Sequence, residues 1–90
     1  MSDFRKHLEK RLENADFRKE YEALEPEYAA IRALISARQE QNMTQAELAE
    51  KTGIRQSNIS RIESGAASPT IDTLARLAEG MGKKLVISFQ

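Results

Sequence analysis

The chain of 90 residues contains no cysteine. It therefore has no disulfide framework and no thiolate metal site, which suits a reducing compartment. Its one histidine, His7, stands apart from any paired carboxylates at ligand spacing, so it reads as a solvated side chain. No metal and no cofactor are expected. No apolar run approaches the roughly 20 residues of a membrane span, and the opening Met1-Ser2-Asp3-Phe4-Arg5 lacks a signal-peptide apolar core. A cytoplasmic protein without a membrane partner is the expectation. An excess of charge is missing as well. Fourteen Lys and Arg balance fourteen Asp and Glu, with no polybasic arm, so any affinity for nucleic acid must come from local placement. Glu9, Glu13, Glu20, Glu22, Glu25 and Glu27 read as a solvated helix face. There is no nucleophile–base set, phosphate-binding glycine loop or metal motif, so there are no candidate catalytic residues and no enzyme is expected.

What is present is helical spacing. Ninety residues suffice for one domain with a modest core. Phe4, Leu8 and Leu12 form one stripe. Asp16, after Asn14, is the expected N-cap of a second segment carrying Phe17, Tyr21 and Leu24. Pro26 fits the first position of a new helix, where its missing N–H costs nothing. Tyr28, Ile31, Leu34, Ile35 and Arg38 then follow the helical period, and Asn42 suits a left-handed stop.

Thr44 opens another helix, with Glu47 three positions on in the capping-box arrangement and Ala46, Leu48 and Ala49 as its inner face. Gly53 interrupts the pattern. A helix follows from about Gln56 to Ser64, with Ile59 and Ile62 inward, and Gly65 ends it. Pro69 and Thr70 start the last helix, with Thr70 as cap and Ile71, Leu74, Leu77 and Ala78 inward. Gly80 falls inside its final turn, and Gly82 is the better terminator. The tail changes period: Leu85, Ile87 and Phe89 alternate with Lys84, Val86 and Ser88, which predicts a strand.

Two short helices hinged at a glycine form the unit in which the second helix enters the DNA major groove. The residues that carry it are Thr44-Gln45-Ala46-Glu47-Leu48-Ala49, Gly53, Ile59-Ser60-Arg61-Ile62-Glu63-Ser64-Gly65 and Pro69-Thr70-Ile71. In these the chain resembles the Xre/Cro-like helix-turn-helix family over about residues 30–82. The flanks, FRKEYEALEPEYAAIRALISAR before the motif and GKKLVISF after it, look like those of HigA-type antitoxins. The resemblance implies an all-α, five-helix Cro/phage-repressor-like domain at 28–82. Residues 1–27 would form an N-terminal helical extension, and 83–90 a short C-terminal β-strand for dimerisation.

The resemblance also assigns roles. Gln45 lies where relatives touch a phosphate and brace the glutamine of the reading helix. Gln56 and Ser57 lie where base edges are read, and glutamine can bond adenine bidentately. Arg61 is on the same face one turn later, and Asn58 and Ser60 complete the polar run. Arg55 stands where a Ser or Thr cap is commoner, leaving the cap open but offering a phosphate contact. Ser68 would serve a phosphate from a loop without lysine. Arg38 and Glu63 match a structural ion pair.

The implied function is an autorepressor of double-stranded operator DNA that doubles as antitoxin to a RelE/HigB-like mRNA-cleaving toxin. A stand-alone repressor, or an adaptor that binds proteins rather than DNA, are the alternatives. Phe4, Leu8, Leu12, Phe17 and Tyr21 are the candidate toxin surface; alternatively Phe17, Tyr21, Leu24 and Tyr28 dock on their own domain. Leu85, Val86, Ile87 and Phe89 are candidate homodimer residues, with pairing to a toxin's sheet the other use of the tail.

Overall fold

The computed structural model describes residues 8–9 and 14–90. Four helices run through 14–90: α1 (Ala15–Glu40), α2 (Gln45–Thr52), α3 (Gln56–Glu63) and α4 (Ile71–Gly80). Leu8 and Glu9 are also helical. No strand forms among the described residues, and the expected five helices with a C-terminal strand are corrected to this all-helical arrangement.

The difference has two physical sources. First, the segment expected over Phe17–Leu24 and the helix expected to begin at Pro26 are one helix. Pro26 lies inside α1, unbroken through residues 27 and 28, although an interior proline costs about 3 kcal/mol or more. Contacts reach across the proline. The Tyr21 and Tyr28 rings lie 5.2 Å apart, and Arg32 Nη2 donates to Glu25 Oε1 at 2.6 Å. The cap is Asn14 rather than Asp16: its Oδ1 accepts the N–H groups of Asp16 (2.9 Å) and Phe17 (3.1 Å). Asp16 sits instead in the first turn, where a negative charge favours the helix dipole. Second, alternation along Leu85, Ile87 and Phe89 prepares one face, but a ladder needs a second strand to accept its bonds. The described residues offer none, and 83–90 stays irregular.

Helix ends follow the punctuation of the sequence. Asn42 turns left-handed (φ 53°) after α1, letting Met43 N–H reach the Arg38 carbonyl at 3.1 Å. Gly82 does the same after α4, with Lys83 N–H on the Ala78 carbonyl at 2.8 Å. α2 packs on α3 and α4, and α1 on α3. Between them lie Leu34, Leu48, Ile54, Ile59, Ile62, Leu77 and Met81, all buried. Ala46 and Ile71, both expected to face inward, are exposed: each sits in the first turn of its helix, on the side away from the buried Leu48 and Leu77. Gly80 has a packing reason. A Cβ there would lie 2.4 Å from Thr52 Cγ2, so α4 crosses α2 closer than any side chain would permit. Arg76 Nη2 closes the same seam by donating to the Thr52 carbonyl at 3.1 Å. Among the described residues no helix is long and apolar enough to cross a membrane.

Candidate nucleic-acid interface

The interface is built outward from a closed turn. Thr44 Oγ1 accepts Glu47 N–H (3.0 Å) and Glu47 Oε1 accepts Thr44 N–H (3.1 Å), so the start of α2 is satisfied internally. These bonds hold the Glu47 carboxyl below its ordinary pKa. α2 ends at Gly53 in the left-handed region (φ 74°), where a Cβ would be strained. Ile54 then drops into the core beside Ile59, the pairing of an apolar residue before the cap with one in the first turn. This staple fixes the angle at which α3 leaves the turn.

α3 divides into two faces. Ile59 and Ile62 are fully buried, while Gln56, Ser57, Asn58, Ser60 and Arg61 are exposed. Those five side chains make no hydrogen bond to other described residues. The N-cap, Arg55, is exposed and gives no side-chain cap, so the first-turn amides of α3 are left without one. Open amides at a helix start and an adjacent guanidinium together favour an anion.

Glu63 explains how a neutral chain can leave only cationic charges on the outer face of α3. It is the carboxylate of α3, and it points inward. Arg38 of α1 grips it at two points, Nε to Oε2 and Nη2 to Oε1, both 2.8 Å, and its Nη1 donates to the Met43 carbonyl at 2.9 Å. The side chains are 15% and 8% exposed. Glu63 raises the Arg38 pKa above its ordinary value by hydrogen bonding and charge. With the negative charge neutralised inside, what α3 shows outside is Arg55 at its start and Arg61 in its last turn.

Gln45 joins the same network. Its Nε2 donates to Glu63 Oε1 at 3.1 Å, so it braces the ion pair rather than Gln56. Three segments therefore converge on one carboxylate, and α3 is keyed to both α1 and α2. Ser68 is turned elsewhere: its hydroxyl donates to the Glu27 carboxylate of α1. The Gln45 bond, the Met43 carbonyl contact and the Ile54 staple were not read from sequence. Of these the staple had a signal, an isoleucine immediately before the cap of a helix with isoleucine at its fourth position.

The remaining candidate residues belong to the two ends of the chain. Leu8, Phe17 and Tyr21 are half-buried, Phe4 and Leu12 fall outside the described residues, and the Phe17 and Tyr21 rings stack at 6.5 Å. Leu85 is half-buried, whereas Val86, Ile87 and Phe89 are exposed.

The helix-turn-helix family model matches residues 34–87, the interval that holds this whole arrangement. The chain belongs to that family. It is also similar to an uncharacterized HTH-type transcriptional regulator of Haemophilus influenzae, 39% identical over 59 residues, covering 66% of this chain and 60% of that protein. A second similarity is to the uncharacterized HTH-type transcriptional regulator y4dL of Sinorhizobium fredii, 36% identical over 55 residues, covering 61% of this chain and 28% of that protein. The chain thus matches less than two thirds of the length of either relative. No solved structure gives a significant match.

Proposed function

We propose that the protein is a sequence-specific DNA-binding transcriptional regulator whose α3 lies in the major groove. The observation that carries the reading is the division of α3: a sealed apolar back and an outward row of donors and acceptors with no partner among the described residues. Gln56 and Ser57 face base edges, Arg61 reaches a guanine or a phosphate, and Arg55 with the open amides takes the backbone phosphate before them. The relatives' names as transcriptional regulators support the same reading. Weak affinity of one domain is offset by two on a palindrome about one helical turn apart, so a homodimer is part of the proposal.

The narrower role is that of a HigA-type antitoxin that represses its own operon and neutralises a RelE/HigB-like toxin. Support comes from α1, whose outer half carries Phe17, Tyr21 and Leu24 beyond the buried cluster, with Leu24 exposed. Titrating the chain with duplex from upstream of its own gene, at two salt concentrations, tests the first part. Sequence-independent binding of equal strength would count against it. Co-purification with the product of the neighbouring reading frame tests the second, and a chain lacking residues 1–20 is expected to lose that partner while still binding DNA.

A further inference from the structure

Away from α3, a groove of about 350 Å³ opens between α1 and α4. Ala30, Ala33 and Ala37 of α1 form one wall, and Leu74 and Leu77 of α4 the other. The alanines share a helix face at helical spacing, and their small side chains leave the gap open. The floor is firm, because Leu34, Leu77 and Met81 also belong to the buried core. Charge enters the groove only where the tail leaves α4. Lys83 and Lys84 border it there, and no acidic residue does. The two lysines differ. Lys83 Nζ is taken by Glu40 Oε2 at 3.2 Å, whereas Lys84 is exposed and has no ion pair or hydrogen bond among the described residues. The tail itself does not fill the space: Val86 borders the groove yet is 79% exposed.

We infer that the groove binds a small amphipathic acid, a straight aliphatic chain of medium length that ends in a carboxylate. The chain lies between the alanines and leucines, and the carboxylate meets the Lys84 ammonium. The volume stands at the low end of the roughly 300–1,000 Å³ of ligand sites, which suits a small molecule. The lining offers no hydroxyl, amide side chain or ring to orient a polar or planar ligand, so the body of the ligand is aliphatic. Its head is set by the cation at the rim. A lysine stem lies along apolar surface while its ammonium stays in water, and with no acid lining the groove this one selects an anion. An anionic lipid surface has the same chemistry, but the chain carries no net charge to draw it to a membrane, and a recess between helices does not meet a flat bilayer. The occupant is therefore a free acid. Once bound, it rests on the core against which α3 packs, and no residue of α3 lines the groove, so the reading face stays open.

Calorimetric titration of the full chain with octanoate, decanoate and dodecanoate, each below its micelle concentration, tests this without DNA and so apart from the reading of bases. Each added methylene is expected to tighten binding by up to about fourfold until the groove is full. A series in which chain length makes no difference overturns the proposal. Decanoate is expected to bind about two- to fivefold more tightly than decanol, and Lys84→Gln, at an exposed site, to erase that preference. A Lys84→Gln chain that keeps the preference places the head elsewhere and overturns the proposal. Ala33→Glu, also at an exposed site, sets bulk and a like charge in the groove and is expected to weaken decanoate about tenfold or more. Undiminished binding by that variant overturns it too. Removing residues 87–90 is expected to change decanoate affinity little. Binding gained only on that removal gives the groove to the tail and overturns the proposal. Phosphatidylglycerol vesicles are expected to leave the chain in the supernatant on sedimentation. Retention on vesicles without decanoate binding assigns the groove to a membrane and overturns the free acid.

Discussion

α2 and α3 are both eight residues long and packed against each other, yet they end up with opposite uses of their polar groups. α2 spends its own. Thr44 and Glu47 close its start, Gln45 reaches back to Glu63, and Thr52 Oγ1 donates to the Leu48 carbonyl at 2.8 Å. α3 keeps its polar groups in reserve: no side chain caps its start, and among the described residues only Glu63 of its polar side chains finds a bonding partner. Uncapped ends and unpaired amide side chains bring a small domain no stability. In α3 they are concentrated on one face of a helix whose other face is fully buried, which is the arrangement of a rigid platform for outside partners. Both helices contribute buried side chains to the core, but only α3 leaves its outer polar side chains unspent.

The largest test of this contrast acts where the two helices share a group. Removing Glu63 leaves the part-buried Arg38 guanidinium with the Met43 carbonyl as its remaining partner and frees Gln45; breaking a fully buried pair costs about 3–5 kcal/mol, which is the upper bound for this one. Glu63→Ala is expected to unfold far below the wild type on heating, while Glu50→Ala, at an exposed site, changes little. Equal small losses would show that the pair is not what keys α3 to α1. Next is Gly80→Ala. In an open helix this change would stabilise; here the methyl group meets Thr52, and overpacking of this kind costs about 1–3 kcal/mol. A denaturant midpoint above the wild type would mean the seam between α2 and α4 gives way freely.

A smaller effect converts one helix start into the other. Arg55→Ser supplies the cap that α3 lacks, and a good cap is worth about 0.5–2 kcal/mol. Stability is expected to rise while DNA binding weakens for all sequences and its salt dependence flattens by about one unit of slope. A variant that gains stability and loses no affinity would remove Arg55 from the interface. The smallest effect lies in the α2 cap. Glu47 has its carboxyl pKa lowered by the Thr44 N–H, so its contribution is complete above the unfolded value of about 4.3 and is lost as pH falls through the lower folded value. The small Tm gap between wild type and Glu47→Ala is expected to hold steady at neutral pH and to close in acid. A gap that persists there would place the effect in helix propensity rather than in the cap.

The parts of this contrast that obey local rules were legible in the sequence. Thr44 with Glu47, Gly53 and the buried pair Ile59 and Ile62 are short-range patterns, and each appears where its spacing puts it. What depends on distant packing was not. Pro26 breaks a helix by local rule but lies within α1, whose contacts continue on both sides of it. Ile54 and Met81 are core residues in turns, outside any periodic window, so periodicity passes over them. The tail alternates as a strand would, yet alternation supplies only a face and not the partner that strand bonding needs. At the site, which residues face outward followed from the helical period, whereas the Gln45 bond to Glu63 needed the crossing of α2 and α3.

The central claim is that the outward face of α3 reads bases. The direct measurement is selection of duplexes from a random-sequence library by the wild-type chain and by Gln56→Ala, an exposed substitution that leaves the buried face untouched. The wild type is expected to enrich a two-fold motif. Gln56→Ala is expected to bind that motif about 1–3 kcal/mol more weakly and to lose preference at one base position in each half. If both chains enrich the same motif with the same preference at every position, α3 is not the reader.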